Sequence, residues 1–251
     1  MKNNYRLGVA SVSFRGYSPN EILKQAKKAG LSCIEWGSDV HAPCTNLEKI
    51  NEIATLQKEY GIECSSYGTY FWLGETKIDE LEQYIAAAKA LGTNVLRIWG
   101  GRKCGANMTS EEKNNFLSLC REVAAIAKEN NVLVCLECHK DTFTEQLEDA
   151  VWLINSINSL NFSMYWQPFH WQSEQQNIEN AKKVAAHSTH IHVFNWKGKE
   201  KFPLCDATKE WQNYLKKFSA PRTLLLEFMP NGSLDELLSE TLALKTIIGE
   251  V

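Results

Sequence analysis

The stretch Leu133-Val134-Cys135-Leu136-Glu137-Cys138-His139 is a short apolar run that ends in a carboxylate and an imidazole. Apolar runs of this length, bounded by polar turn residues, are typical of buried strands in a parallel sheet. In α/β folds, polar groups at the carboxyl ends of such strands form the functional site. This stretch therefore predicts an α/β protein whose chemistry lies at its strand ends.

Segments with strand and helix patterns alternate on both sides of this run. The first helix is marked by Ser18-Pro19-Asn20-Glu21, which provides an N-cap, a proline at the first helical position and the glutamate of a capping box. Its end is expected at Gly30, because a glycine at the C′ position closes a helix in the left-handed conformation. Strands are predicted at residues 7–13, 32–36, 62–67, 94–99, 132–137, 162–166, 189–194 and 222–227. Later helices are predicted at residues 47–60, 78–91, 110–129, 142–157, 175–186, 208–218 and 234–248.

Eight strand-then-helix units without a domain-sized linker predict a parallel sheet that closes on itself. Right-handed βαβ crossovers repeated eight times form a (β/α)8 TIM barrel of about this length. We therefore assign residues 1–251 to a single α/β domain. The alternative is an open doubly wound sheet, whose usual GxGxxG turn is absent after the first strand, where the chain reads Ser13-Phe14-Arg15-Gly16.

The composition is that of a soluble globular protein, with 44% hydrophobic and 23% charged residues. The net charge of -3 gives no overall electrostatic attraction for nucleic acid, although it leaves a locally basic face open, and no apolar segment is long enough to predict a membrane span. We expect a cytoplasmic protein with neither nucleic acid nor membrane as partner. The eight cysteines are scattered, which favours reduced thiols. Cys135 and Cys138 should face opposite sides of one strand and so not share a metal.

Three candidate metal ligands, Glu137, His192 and Glu227, lie at the tips of three predicted strands. Two carboxylates aimed at one point repel each other unless a cation or a proton relieves them. With an amide oxygen from Gln167, this set suits Mn²⁺, Mg²⁺ or Co²⁺, and Zn²⁺ is also compatible. The alternative is that each glutamate pairs with a neighbouring arginine in a polar barrel layer.

Aromatic side chains are concentrated at or just beyond the predicted strand ends. Such a rim suits stacking on the apolar face of a sugar or cyclohexane ring, although part of it could simply plug the barrel mouth. The tryptophans concerned are Trp36, Trp72, Trp99, Trp166, Trp171 and Trp196, together with Tyr67, Tyr70 and Phe71. Trp36, Tyr67, Trp99 and Trp166 are the candidate substrate contacts among them. A cyclic polyol, a glycoside or a ring acid is the expected partner.

The strand-end motifs, in this order along nearly the whole chain, resemble the xylose isomerase-like barrel superfamily. This group includes ketose 3-epimerases, inosose dehydratases and 3-dehydroshikimate dehydratases. The motifs are Ser11-Val12-Ser13-Phe14-Arg15, Ile34-Glu35-Trp36-Gly37, Leu136-Glu137-Cys138-His139, Trp166-Gln167-Pro168-Phe169-His170, His190-Ile191-His192-Val193-Phe194-Asn195 and Leu225-Leu226-Glu227-Phe228. The SerPheArg, GluCysHis and LeuGluPhe pieces are most similar to the dehydroshikimate dehydratase-like members.

The resemblance implies metal ligands at Glu137, Gln167, His192 and Glu227. Gln167 and Asn195 stand where the family usually has aspartate, so the site should carry less negative charge and bind a divalent ion more weakly. The resemblance also implies proton abstraction next to a carbonyl, with the metal polarising the oxygen and Glu137 and Glu227 as acid and base.

The resemblance further implies a set of substrate-binding residues around the same mouth. His139, His170 and Lys140 are expected to bind substrate. Arg97 would bind a carboxylate or oxyanion, unless it is the counter-ion of Glu137 or Glu35. Dimers are common among similar barrels, so a homodimer is also considered.

The sequence thus predicts a metal-dependent sugar or cyclic-polyol isomerase or epimerase of carbohydrate metabolism. One alternative is a dehydratase, a lyase that uses the same enolisation on a keto-cyclohexane or keto-sugar. Another is a sugar-binding barrel that has lost catalysis through Gln167 and Asn195. The endonuclease IV-type members of the superfamily need further zinc ligands where this chain has Tyr67, Trp99 and Asn195.

Overall fold

Eight parallel strands form a closed barrel in a computed structural model that describes residues 5–250. They are β1 (Arg6–Ala10), β2 (Cys33–Gly37), β3 (Glu63–Trp72), β4 (Val95–Trp99), β5 (Leu133–Glu137), β6 (Phe162–Trp166), β7 (Ser188–Val193) and β8 (Thr223–Leu226). Neighbours in sequence are neighbours in the barrel, and β1 closes it by pairing with β8 through Gly8 and Leu225. The TIM barrel and its single domain are confirmed, and the open sheet is excluded.

Eight α-helices cover the outside of the barrel. They are α1 (Pro19–Ala29), α2 (Leu47–Tyr60), α3 (Leu81–Ala90), α4 (Ser110–Glu129), α5 (Leu147–Ile157), α6 (Glu174–Val184), α7 (Thr208–Leu215) and α8 (Leu237–Ile248). The predicted capping box of Ser18 and Glu21 is formed, and Gly30 ends α1 with φ 75°. Local sequence signals therefore determine these helix ends.

Two strand boundaries differ from the prediction. The chain leaves β1 after Ala10, because Ser11–Phe14 turns into a 3₁₀ helix that brings the Ser13 and Arg15 region over the barrel mouth. Strand β3 continues to Trp72, well beyond the predicted end at residue 67, and pairs there with Trp99 of β4. Both changes build the loops around the carboxyl ends of the strands.

Side chains along each strand alternate between the barrel interior and the helix layer, as the two-residue period requires. A lower interior layer is formed by Cys33, Cys135, Tyr165 and Leu225, which pack on one another. Two residues further along the same four strands stand Glu35, Glu137, Gln167 and Glu227. The intervening residues, among them Leu136 and Leu226, belong to the larger core between sheet and helices.

The loop between β7 and α7 carries a short antiparallel hairpin, in which Trp196–Lys197 pairs with Glu200–Lys201. This hairpin stands beside the barrel mouth. None of the helices within residues 5–250 is both long and apolar enough to cross a membrane. All eight cysteines are free, and Cys135 and Cys138 face opposite sides of the sheet, as the strand period predicts.

Candidate metal centre

Glu137, His192 and Glu227 come together at the base of the barrel mouth. One ligand-type atom from each lies within 4.8 Å of the others. His192 Nδ1 is 3.3 Å from Glu137 Oε1 and 3.4 Å from Glu227 Oε2. The three side chains are almost fully buried, with 0%, 3% and 5% exposure for His192, Glu137 and Glu227. Three strands far apart in sequence thus aim their polar ends at one buried point.

The atoms that face this point lack ordinary partners. Within residues 5–250, His192 Nδ1 and Glu227 Oε2 are buried and have no hydrogen-bond partner. Leaving such groups unpaired in a protein interior costs on the order of 1–3 kcal/mol each. A divalent cation bound between them would satisfy both, because neutral imidazole and carboxylate are its usual ligands. The residues present therefore fit a metal ion.

The orientation of His192 is fixed by Glu35 on β2. His192 Nε2 lies 3.3 Å from Glu35 Oε1, and Ser66 Oγ donates a 2.8 Å hydrogen bond to Glu35 Oε2. Both Glu35 and Ser66 are buried. When Nε2–H donates to this carboxylate, the Nδ1 lone pair points at Glu137 and Glu227, which is the arrangement of metal-binding histidines in proteins.

The sequence predicts Glu35 only as a residue at the end of β2 and as an alternative counter-ion for Arg97. Its role beside His192 was missed. The two-residue period could have indicated that Glu35 faces the interior, since Cys33 and Glu35 share one face of the strand. No local pattern indicates that β2 and β7 meet across the barrel at this height.

Arg97 binds the other side of Glu137. Its Nε lies 3.0 Å from Glu137 Oε2, and its Nη1 donates a 2.9 Å hydrogen bond to Thr69 O. Its guanidinium lies 4.6 Å from the ring centroid of Trp99. Arg97 thus has the counter-ion geometry considered from sequence, and it also lines the mouth.

Gly68, the β3 residue in register with Arg97, leaves room for the side chains of Glu35 and Arg97. A Cβ at this position would lie 3.0 Å from Glu35 Oε1 and 3.1 Å from Arg97 Nη2. These approaches are at the short limit of real Cβ contacts, so a larger residue would displace one of the two charged groups. The missing side chain lets a carboxylate and a guanidinium stand close together.

The charges around His192 shift the pKa values of all its neighbours. Burial would raise the pKa of Glu137, but Arg97 and His192 outweigh it and lower the pKa to about 2. Burial raises the pKa of Glu227 to about 7, since repulsion from Glu137 and Glu35 adds to it and outweighs the attraction of His192. Burial opposes a charge on His192, yet the three carboxylates raise its pKa well above 6.5.

The net charge around His192 affects how strongly this site would bind a cation. When a cation is bound, His192 must be neutral and Glu227 ionised. In that state the carboxylates of Glu35, Glu137 and Glu227 face one guanidinium, that of Arg97, which leaves two net negative charges for the cation to neutralise. Glu35 therefore supplies a negative charge close to the site even though Gln167 brings none. The weaker metal binding expected from Gln167 stays a prediction.

The two residues that depart from the family pattern have different environments. Gln167 is 9% exposed and lines the mouth, and its Nε2 donates a 3.0 Å hydrogen bond to Cys138 O. Its amide oxygen is therefore the atom that remains to coordinate an ion. Asn195 instead donates from Nδ2 to Pro203 O at 2.8 Å and so holds the loop after the hairpin.

Most of the predicted substrate contacts line a mouth cavity of about 230 Å³, whose lining includes Glu137 and Glu227. His139 meets Trp99 edge to face at 4.7 Å, and His170 stacks on Trp196 at 4.6 Å. Lys140 lies 5.9 Å from the ring centroid of Trp171. The lining also includes Arg15, Tyr70 and Phe228. Of the predicted aromatic rim, Trp99, Trp171, Trp196 and Tyr70 line this mouth. Phe71 is instead buried against Tyr84 of α3, and Trp72 stacks on Trp99 without lining the cavity.

Three predicted substrate contacts are wrong, because their side chains face the helix layer. Trp36 donates from Nε1 to Gln57 of α2, Tyr67 donates from its hydroxyl to Ala42 O, and Trp166 packs 5.4 Å from Tyr214 of α7. Each stands one position from a residue whose side chain faces the barrel interior. Because side chains alternate between the two faces of a strand, these three face the helix layer. All three are fully buried in the outer core.

Comparison with known proteins adds to this geometry. A family model described as xylose isomerase-like TIM barrel matches residues 23–213. A 3-dehydroshikimate dehydratase from Bacillus anthracis is 23% identical over 205 residues, which are 76% of this chain and 71% of that protein.

Two crystal structures share the fold over almost their full length. The probable 3-DHS dehydratase AsbF, involved in petrobactin synthesis in Bacillus anthracis, has a TM-score of 0.80 at 20% identity and covers 98% of this chain and 99% of its own. The IolI protein with a bound zinc atom has a TM-score of 0.77 at 16% identity and covers 98% of both chains.

Proposed function

The chain belongs to the xylose isomerase-like TIM barrel family, and from this premise we propose that it is a metal-dependent isomerase or epimerase of a sugar or cyclic polyol. The proposed reaction begins with abstraction of a proton from the carbon next to a carbonyl. The observation that carries this proposal is the convergence of Glu137, His192 and Glu227 on one buried point.

The proposed metal ligands are Glu137, His192 and Glu227, with the amide oxygen of Gln167 as a fourth. A divalent ion bound there supplies the Lewis acid that polarises the substrate carbonyl. Glu35 holds His192 by its Nε2 atom, which keeps Nδ1 directed at the ligand position. Mn²⁺, Mg²⁺, Co²⁺ and Zn²⁺ are the candidate ions.

Glu227 is the proposed carrier of the substrate proton. Glu137 Oε2 forms an ion pair with Arg97 Nε at 3.0 Å, whereas Glu227 forms no ion pair with a lysine or arginine among residues 5–250 and has His192 Nδ1 at 3.4 Å. Glu227, just after β8, would take the proton with the carboxylate oxygen that the ion leaves free, and its return to the neighbouring carbon gives an isomer. Inversion of the same carbon needs a proton delivered to the opposite face. Glu137 on β5 would do this by passing on a proton from water or a substrate hydroxyl, because Arg97 and His192 keep its own carboxyl group ionised.

The rim residues are proposed to hold the substrate over these groups. Trp99 offers an apolar face, and His139 and His170 offer ring nitrogens to hydroxyl groups. Lys140 and Arg97 add positive charge that would hold a carboxylate or developing oxyanion. The mouth thus suits a small ring with several oxygens.

A dehydratase is the second candidate, and the specific observation that favours it is the 23% identity to a 3-dehydroshikimate dehydratase. The first step is the same proton abstraction. The C–H electron pair then forms the new double bond while the β-hydroxyl leaves as water with a proton from the acid. An enone product distinguishes this outcome from an isomer.

The proposal is tested on protein stripped with a chelator and titrated with each of the four candidate ions by calorimetry. We expect one of them to bind with a micromolar or lower Kd. The loaded protein should then incorporate deuterium from D₂O into a member of a panel of ketoses, keto-glycosides and keto-cyclohexane acids. A protein that binds no ion contradicts the proposal. Tight binding of a sugar without deuterium exchange would instead support a sugar-binding barrel.

A further inference from the structure

A second cavity of about 490 Å³ lies beside the mouth, between the loops that follow β6 and β7 and the helices α6 and α7. We infer that this side cavity binds a second hydroxylated ring joined to the reacting one, so that the substrate is a keto-glycoside. The inference deepens the proposed function and rests on it for the reacting ring.

The two cavities share a wall. Both the mouth and the side cavity are lined by Phe169, His170, Trp171, Phe194 and Trp196. The mouth alone, at about 230 Å³, is smaller than the roughly 300–1,000 Å³ usual for small-molecule sites. It fits one ring, and the two volumes together fall within the usual range. A molecule of two rings would use both.

Two polar atoms in the shared wall lack partners. His170 Nδ1 and Trp196 Nε1 are buried and have no hydrogen-bond partner among residues 5–250. Their rings stack at 4.6 Å with an interplanar angle of 9°. Such atoms are usually satisfied in native proteins. A ligand that lies against this wall would offer its ether and hydroxyl oxygens as acceptors to the Trp196 indole N–H and the His170 imidazole N–H.

The side cavity itself offers oriented acceptors. Glu210 accepts a hydrogen bond from Tyr214 through Oε1, and Glu174 Oε1 accepts one from Asn213 Nδ2 at 3.0 Å. Each carboxylate is thus held through one oxygen while both line the cavity. Carboxylates bind vicinal sugar hydroxyls, and the indole of Trp171 provides an apolar surface for a ring.

The charges around the cavity favour a neutral polyol over an ammonium group. Lys197 lines the same cavity as the two glutamates. Lys201 lies 5.6 Å from the ring centroid of Trp196, and Lys140 lies 5.9 Å from that of Trp171. The Lys197 ammonium group at the cavity and the two nearby ones offset the charges of Glu174 and Glu210, so the cavity offers a neutral polyol hydrogen bonds without a strong attraction for a cation.

The test measures binding without turnover. Protein labelled with ¹⁵N is titrated with glucose, with the disaccharides cellobiose, maltose and gentiobiose, and with putrescine, while the indole resonances of Trp171 and Trp196 are followed. We expect at least one disaccharide to bind roughly tenfold tighter than glucose, which corresponds to one well-made hydrogen bond to a charged group. Equal affinity for glucose and all disaccharides, or tighter binding of putrescine, overturns the inference.

Matched variants locate the effect. Glu210→Gln keeps an acceptor for Tyr214 but loses the charge, and it should reduce the disaccharide preference to near unity while glucose binding is unchanged. Glu174→Gln should act in the same direction. Glu179→Gln on the exposed side of α6 is the control and should leave the preference intact.

An undiminished preference in both cavity variants also overturns the inference. Failure of metal binding or deuterium exchange, measured separately, would count against the proposed function instead.

Discussion

The barrel interior contains two layers built by the same strands, and they differ completely in chemistry. Cys33, Cys135, Tyr165 and Leu225 form an apolar packed layer, and the residues two positions later form the charged layer of the mouth. Backbone geometry is common to both. A shift of two residues along a strand is therefore enough to separate a layer that stabilises the barrel from a layer that can perform chemistry. Three predictions test this separation, and a fourth compares the carboxylates of the mouth with a buried one outside the barrel.

The largest effect is expected in the charged layer, from Glu227→Gln. The amide cannot carry the substrate proton, so the rate of deuterium exchange should fall about 10²- to 10⁴-fold. The free energy of unfolding should stay equal or rise, because a buried carboxylate repelled by Glu137 and Glu35 is removed. Exchange rates and urea unfolding of the two proteins check both statements, and unchanged turnover would contradict the role of Glu227.

The opposite pattern is expected from Leu225→Ala in the apolar layer. Leu225 is fully buried between Cys33, Cys135 and Tyr165. Its truncation leaves a cavity and should lower the free energy of unfolding by about 2–5 kcal/mol. Urea unfolding measures this loss, and calorimetry should give an unchanged Kd for the metal. A marked change in that Kd would show that the layers are coupled.

A smaller effect is expected from the support of His192. Glu35→Leu removes the acceptor of Nε2–H and should weaken metal binding about 10- to 100-fold. Glu35→Gln restores an acceptor and should recover part of the loss. Calorimetry measures the Kd, and ¹⁵N shifts of the imidazole report which nitrogen carries the proton. If the leucine variant binds metal normally with the same tautomer, Glu35 has no positioning role.

The smallest effect concerns a buried carboxylate that, unlike those of the mouth, forms no ion pair within the part of the chain that the structure describes. Glu240 on α8 accepts the Leu204 N–H at 3.1 and 3.2 Å, and burial, with repulsion from Glu236 and Asp206, raises its pKa to about 7. The folded state therefore holds this proton more tightly than the unfolded state, whose pKa is about 4.5. Stability should fall as pH rises from about 4.5 to about 7.

Glu240→Gln removes this penalty. We expect a gain of about 1 kcal/mol at pH 8 and little change at pH 4, a modest value because water screens a partly solvated group. Unfolding curves at the two pH values check it. Glu179→Gln, exposed on α6 and remote from Glu240 in sequence, serves as a control for net charge. A gain of equal size at both pH values would contradict the assignment.

The fold and the ligand positions were predictable because both depend on local patterns. Apolar runs, the capping box at Ser18 and the glycine at residue 30 define elements without reference to distant residues. Polar groups at strand ends meet in any closed parallel barrel, so Glu137, His192 and Glu227 converge once closure is correct.

The remaining features depend on side-chain direction or on contacts between distant segments. Trp36, Tyr67 and Trp166 were placed in the mouth because they stand at strand ends, although the strand period directs them outward. The contact between Glu35 and His192 joins strands that are not neighbours, so no pattern along the chain predicts it. The side cavity depends on the conformations of two loops, which periodicity does not describe.

Gly68 has a consequence of a different kind. A hydrogen atom where other residues carry a carbon sets the separation of a negative and a positive charge on either side of it. The size of the side chain at position 68 therefore sets the distance between Glu35 and Arg97. A methyl group there would change the electrostatic potential at the mouth without adding, removing or titrating any charge.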